Sequence, residues 1–346
     1  MNIREAIAKV AGGSALEMDE AAGAMEEIVR GVATPAQIAA FAMALRMKGE
    51  TPAEVAGLAR VMRREAVPVK VSGEVVDTCG TGGDGLSTFN ISTVAAFVAA
   101  GAGARVAKHG NRAYTSSCGS ADLLEALGVA IDLQPDDVAR CVDEVGIGFM
   151  FAPLFHPAMK HAAAPRKEIG VRTVFNVLGP LTNPAGASSQ LLGVATASLA
   201  PLMGEVLGLL GCRRALVVHG GEGMDEISLS GPTHLCELSQ GSCRSYDLDP
   251  EAFGFTRQPL EALKGGNAQE NAAIAESVLH GERGPRRDVV LLNGAAALYA
   301  AGKAENLQDG VRMATESLDS GAAAAKLEQL RVLSRSLKER ELRHVS

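Results

Sequence analysis

The chain carries no Lys/Arg-rich block; its 33 basic residues are outnumbered by 40 acidic ones, for a formal charge of −7. Without such a block there is no electrostatic footprint for general nucleic-acid binding, so any phosphate has to be held by a local site. Six cysteines (Cys79, Cys118, Cys141, Cys212, Cys236 and Cys243) contain no C-x-x-C pair. The opening MNIREAIAKV shows no charged-then-apolar leader pattern, and free thiols in a cytoplasmic protein are the expectation. The longest apolar stretch, residues 94–107, is interrupted by glycines and Arg105. It falls short of the about 20 residues that span a bilayer, so no membrane segment is expected. G-x-S-x-G and H-E-x-x-H are also missing, which leaves Ser/His/Asp hydrolysis and a zinc centre without support.

What is present is a 346-residue chain with 47% hydrophobic content, enough for one large core or two smaller ones. Its first part reads as helix only. In TPAQIAAFAMALRMKG, Thr34 is an N-cap, Pro35 takes the first helical position, Gln37 completes a capping box, and Ile38, Phe41, Ala42 and Leu45 share one face. Thr51, Pro52 and Glu54 repeat the device ahead of Val55, Leu58, Ala59 and Met62. After Pro68, short β-branched runs (VVDTC, ARVAK, RRALVVHG, RRDVVLLN) alternate with Ala- and Leu-rich stretches. That alternation predicts an α/β class, with a mostly parallel central sheet flanked by helices. The expected division is a small all-helical domain over 1–70, with a return segment near 156–186, and a large α/β domain over 71–346.

Three loops carry the chemistry. GTGGDG places four glycines, Gly80, Gly82, Gly83 and Gly85, within six residues between a strand and an apolar helix. Bare backbone there lets main-chain N–H groups and a helix N-terminus approach an anion, although the spacing fits neither G-x-G-x-x-G nor the P-loop. KHGNRAYTSSCGS offers Lys108, His109, Asn111, Arg112, Thr115, Ser116, Ser117 and Ser120 after a second strand, a donor set suited to polyphosphate. VVHGGEGMDEISLSG opens a third strand into a loop bearing Asp225 and Glu226, an arrangement that suits Mg²⁺ shared between carboxylates and substrate phosphates. Arg166 and Arg172 in PRKEIGVRT are candidate carboxylate anchors.

Taken in order, GTGGDG…TFNIST, KHGN…GSADLLEALG, RTVFNVLGPLTNP, HGGEGMDEIS and VVLLNGAAALY resemble the anthranilate phosphoribosyltransferases over nearly the whole chain. The resemblance implies a Mg²⁺-dependent enzyme of tryptophan synthesis that moves the phosphoribosyl group of 5-phospho-α-D-ribose 1-diphosphate to anthranilate. It further implies a homodimer formed through the helical domain, with the site in the cleft between the domains. By motif, Gly80, Gly83, Asp84, Thr88, Asn90, Ile91, Ser92 and Thr93 would line the phosphoribosyl diphosphate, together with Lys108, His109, Gly110, Asn111, Arg112, Ala113, Tyr114, Thr115, Ser116 and Ser120. Ser92, Asp225 and Glu226 would hold Mg²⁺, two ions per monomer, while Gly80, Asn111 and Arg166 would contact anthranilate. Tyr114, Thr115 and Pro165 depart from the family's usual residues, which bears on fine affinity. A pyrimidine nucleoside phosphorylase-like enzyme and a non-catalytic nucleotide- or nucleic-acid-binding relative are the alternatives; KHGN and the Asp225–Glu226 pair favour the diphosphate substrate.

Overall fold

The computed structural model describes residues 1–113 and 117–345. It opens with four helices, α1 (Ile3–Ala11), α2 (Met18–Val29), α3 (Pro35–Lys48) and α4 (Pro52–Glu65). The Thr34 hydroxyl accepts the Gln37 N–H at 3.3 Å while the Gln37 amide oxygen accepts the Thr34 N–H at 2.9 Å; Thr51 and Glu54 repeat the exchange. The inward stripes expected for α3 and α4 are buried. Glu54 does more than cap, since its buried carboxylate also accepts the Leu16 N–H and the Lys48 ammonium, both at 2.9 Å. One side chain thus ties together three segments of the helical domain.

Seven strands follow: β1 (Val76–Gly80), β2 (Val106–Gly110), β3 (Ile147–Phe151), β4 (Ser189–Gly193), β5 (Arg214–Gly220), β6 (Thr233–Ser239) and β7 (Ser242–Leu248). They form one sheet in the order β3-β2-β1-β4-β5-β6-β7. The first five run parallel, and β6 and β7 add an antiparallel edge. Between strands lie α5 (Ile91–Gly101), α6 (Ser120–Ala126), α7 (Pro135–Arg140), α8 (Ala152–Phe155), α9 (Lys160–Ile169), α10 (Phe175–Leu178) and α11 (Leu199–Leu209). The chain closes with α12 (Ala268–Leu279), α13 (Pro285–Ala300), α14 (Leu307–Asp319) and α15 (Ala322–Val345).

Successive strand residues feed two cores, as expected of a parallel sheet covered on both faces. Leu191, Leu216 and Val218 join the core built with α5 and α12 to α15. Leu192, Ala215 and Val217 join the one that includes α11 and the N-terminal helices. Ala162, Phe175 and Leu178 also belong to this second core, with α9 packed on α2 and α3.

One expected strand is corrected: RRDVVLLN lies inside α13, a 16-residue helix with Pro285 at its N-terminus. Its apolar residues are buried all round, so the run has no polar face from which to read a period, and length alone distinguishes buried helix from buried strand. Among the described residues no helix is long and apolar enough to cross a membrane, and the six cysteines are free.

Removing the Glu54 carboxylate orphans the Lys48 ammonium and two backbone donors. Glu54→Ala is expected to lower the unfolding free energy by about 3–5 kcal/mol, measured by urea denaturation. An unchanged midpoint would mean that the carboxylate does not hold these segments together.

Candidate functional site

Strand order reverses between β1 and β4, because β2 and β3 continue on one side and β5 on the other. In open α/β sheets the crevice beyond the carboxyl ends at such a reversal is where ligands bind. Gly80 and Gly193 end the two strands opposite each other in register. A Cβ built on Gly80 would fall 2.3 Å from Asp225 Oδ2, and one on Gly193 would fall 1.6 Å from the Asp225 carbonyl oxygen. Both positions are bare so that the acidic loop after β5 can lie directly over the ends of β1 and β4.

The carboxylates placed there are shared out among main-chain donors. Asp225 Oδ2 accepts the Gly82 N–H at 2.8 Å, and Glu226 Oε1 accepts the Ser92 N–H in the first turn of α5 at 3.0 Å. Asp84 comes within hydrogen-bonding reach of Asp225. Burial, and then the Asp84 charge, push Asp225 up to about 7. Burial, and then Asp225, push Glu226 up to about 8, against the pull of Lys108 and the Ser92 N–H. Two carboxyls in contact require either a shared proton or a cation between them. The all-oxygen donors fit Mg²⁺, which is commonly held by one or two carboxylates with substrate phosphates and water completing the shell.

Lys108 is almost completely buried on β2, and its ammonium donates to the Thr78 carbonyl. Burial lowers its pKa although Asp77 and Glu226 oppose the shift. Its charge therefore offsets part of the cost of burying Asp77 and Glu226. Asp77 accepts the Asn183 amide at 2.8 Å and the His109 N–H at 3.2 Å, and burial pushes it up to about 6 against the attraction of Lys108. The His109 ring is buried and tilted against His156, centroids 5.0 Å apart. Burial, followed by the His156 charge, takes it down to about 3, so the imidazole is neutral.

The remaining predicted residues sit on the walls. Asn90 stands at the N-cap position of α5, but its side chain bridges the loops instead of capping: its amide donates to the Cys118 carbonyl at 2.9 Å and its oxygen accepts from Asn271 at 2.9 Å. Ile91 and Thr93 belong to α5 and are buried. Thr88 pairs with Lys264 through an isolated bridge. Gly110, at the end of β2, leaves room for Ser120, whose hydroxyl donates to the Asn111 carbonyl at 3.4 Å. Asp122 draws in the Ala113 N–H at 2.9 Å, and Arg112 is taken up by Asp122 and Glu125 and lies 5.6 Å over Phe151. Gly83 lies against Arg172, while Arg166 projects from α9 with its guanidinium 5.8 Å over Phe175. Tyr114, Thr115 and Ser116 lie outside the described residues.

Sequence reasoning missed several supporting groups, among them Asn293. This residue pins Ile227 from both sides, accepting its N–H at 3.0 Å and donating to its carbonyl at 2.9 Å, which fixes the chain next to Glu226. Its signal was an amide in the middle of the apolar run VVLLNGAAALY. Asp77, Asn183 and Asn271 gave no comparable signal, since their partners come from distant strands and helices.

The helical bundle domain of a glycosyl transferase family matches residues 4–66, and the a/b domain of the same family matches residues 72–324. Fold and site therefore define a two-domain glycosyl transferase. The chain is 59% identical to the anthranilate phosphoribosyltransferase of Moorella thermoacetica over 329 residues, covering 95% of this chain and 97% of that one. It is 58% identical to that of Chloroflexus aggregans over 337 residues, covering 97% and 99%. The solved anthranilate phosphoribosyltransferase of Thermus thermophilus superposes with a TM-score of 0.91 at 48% identity, covering 95% of this chain and 99% of that one. The Saccharomyces cerevisiae enzyme in complex with PRPP and Mg superposes at 0.87 and 30% identity, covering 96% and 98%. The chain belongs to the anthranilate phosphoribosyltransferases.

The raised Asp77 value fixes a pH dependence. Its folded value of about 6 lies above the ordinary 3.8, so the native state binds this proton more tightly than the unfolded chain. Relative to Asp77→Asn, the wild type should gain stability as pH falls from about 6 to 4, by at most about 3 kcal/mol, and should gain none above pH 7. Chemical denaturation of both proteins across that range measures it; a constant difference would contradict the buried, elevated carboxyl.

Proposed function

We propose that the protein transfers the phosphoribosyl group of 5-phospho-α-D-ribose 1-diphosphate to the amine of anthranilate. The products are N-(5-phosphoribosyl)anthranilate and diphosphate, in the second step of tryptophan synthesis from chorismate. The observation that carries this reading is the pair of half-buried Asp225 and buried Glu226, set over the paired glycines at the β1/β4 reversal, with Lys108 acting on Glu226.

Breaking the C1–O bond builds positive charge on the ribose and negative charge on the leaving diphosphate, so most of the work lies in receiving that negative charge. Mg²⁺, when bound, supplies a counter-charge to the diphosphate oxygens. Asp225 and Glu226 would hold it, two ions per chain with Ser92 completing the set, and Lys108 keeps the acidic cluster compatible with burial. The Gly80–Gly85 main chain offers N–H groups without side chains to fend off an anion. Anthranilate's amine is an uncharged nucleophile at neutral pH and needs no strong base. The protein's task is to hold it near C1, a proximity effect that reaches about 7–11 kcal/mol in well-oriented systems. Gly80, Asn111 and Arg166 are the proposed anthranilate contacts, with Arg166 as the carboxylate anchor.

A homodimer through the helical domain is supported by α3, which is apolar outside as well as inside: Val32 just before it and Met47 at its end are 65% and 79% exposed, and Ala36 and Ala40 are exposed between them. A second copy of the same stripe would cover it. Six free thiols suit a reducing, cytoplasmic location.

Loss of anthranilate fluorescence in the presence of phosphoribosyl diphosphate and Mg²⁺, with product confirmed by mass, tests the activity; turnover of uridine and phosphate instead would overturn it. In the same assay Arg166→Ala should raise the KM for anthranilate at least tenfold and that for phosphoribosyl diphosphate less than threefold. An equal rise in both would remove Arg166 from the anthranilate site. For the dimer, Met47→Asp should shift the sedimentation coefficient from dimer to monomer, and a monomeric wild type would end that proposal.

A further inference from the structure

Arg172, a candidate carboxylate anchor on sequence, is in none of the substrate or metal sets carried over by motif, and its side chain is engaged with the glycine loop instead. Its Nη2 donates to the Thr81 carbonyl at 3.1 Å. Its guanidinium fills the space beside Gly83, where a Cβ would lie 1.6 Å from Nη1. The Thr81 carbonyl and the Gly82 N–H are the two ends of a single peptide unit. The N–H end is held by Asp225 Oδ2 at 2.8 Å, so this peptide is clamped between a cation on one side and a carboxylate on the other.

The unit needs such a clamp. Gly82 and Gly83 have φ of +61° and +81°, and a glycine after the peptide bond lets the plane rotate without a Cβ to oppose it. While Asp225 is an uncompensated carboxylate, it enforces the orientation by itself, since a rotated carbonyl would face its negative charge. A cation held by Asp225 would compete with the N–H for that carboxylate and would attract a carbonyl oxygen, weakening the preference. The contact from Arg172 to the Thr81 carbonyl would then keep the N–H, and not the carbonyl, turned toward an anion. Arg172 is itself anchored from the helical domain: Arg46 on α3 donates to its carbonyl, and the Thr173 N–H is held by Asn176 at 2.9 Å.

We infer that Arg172 is a positioning residue that locks the Thr81–Gly82 peptide with its N–H toward the diphosphate and links the glycine loop to the helical domain. The inference rests on the phosphoribosyl diphosphate reading for its ligand, and on the contacts of the Thr81–Gly82 peptide and Gly83 for the lock.

The test uses the full-length protein with Arg172→Gln and Arg172→Lys. Hydrogen exchange by mass spectrometry, with Mg²⁺ present, should show residues 80–86 exchanging at least tenfold faster in Arg172→Gln, with α13 unchanged. Calorimetric titration with inorganic diphosphate and Mg²⁺ should show a Kd raised at least tenfold. The KM for phosphoribosyl diphosphate should rise in step, with that for anthranilate within twofold of wild type. Arg172→Lys keeps the charge but lacks the planar fork that spans the Thr81 carbonyl and Gly83, so it should retain most of the defect. Unchanged loop exchange in both variants would overturn the lock. Full recovery of diphosphate affinity in Arg172→Lys would overturn it too, by showing that the charge acts directly. A wild type that fails to consume anthranilate, with the loop exchange behaving as expected, would overturn the functional reading and leave the lock standing.

Discussion

Two adjacent carboxylates, half-buried Asp225 and buried Glu226, with a single lysine to offset them, are the constraint to which the α/β domain responds. Asp225 and Glu226 are carried to the ends of β1 and β4, where burial alone disfavours their charge. The surrounding structure lowers that cost without removing it. Backbone N–H groups of Gly82 and Ser92 each give one hydrogen bond, and Lys108 contributes its charge to Glu226. What remains is a cluster of carboxyls whose charge is disfavoured unless a proton or a cation is shared among them. The glycines at 80 and 193 are consequences of the same placement, since any side chain there would overlap Asp225.

The helical domain and the sheet are not independent bodies joined by a linker. Leu192, Ala215 and Val217 of the sheet share one apolar core with α2, α3 and α4, and Ala162 and Phe175 enter it from the segment between β3 and β4. Arg166 and Arg172 stand on or just after α9, which packs against α3. The positions of both arginines relative to the glycine loop therefore depend on how the helices sit on the sheet.

The parts of this arrangement legible in the sequence were those encoded locally. Thr34–Gln37 and Thr51–Glu54 announce helix starts because a capping box is complete within four residues. The glycine loop, KHGN and MDE were readable because each follows its strand directly. The uses of individual side chains were less accessible. Lys108 faces inward to Thr78 instead of outward, and Arg112 is engaged by Asp122 and Glu125; both depend on which residues lie across the fold. The helix at RRDVVLLN was misread because its burial on all sides erases the period that separates helix from strand. Arg172 stood out as a cation, but its seat on Gly83 is a contact between residues 89 positions apart, which no local pattern carries.

The most direct test of the central claim is to find where a divalent cation binds. Crystals soaked with Mn²⁺ and phosphoribosyl diphosphate, examined by anomalous scattering, should place metal on the carboxylates of Asp225 and Glu226, with the diphosphate against residues 80–85. Metal bound elsewhere, with Asp225 still accepting the Gly82 N–H and Glu226 the Ser92 N–H, would contradict the account.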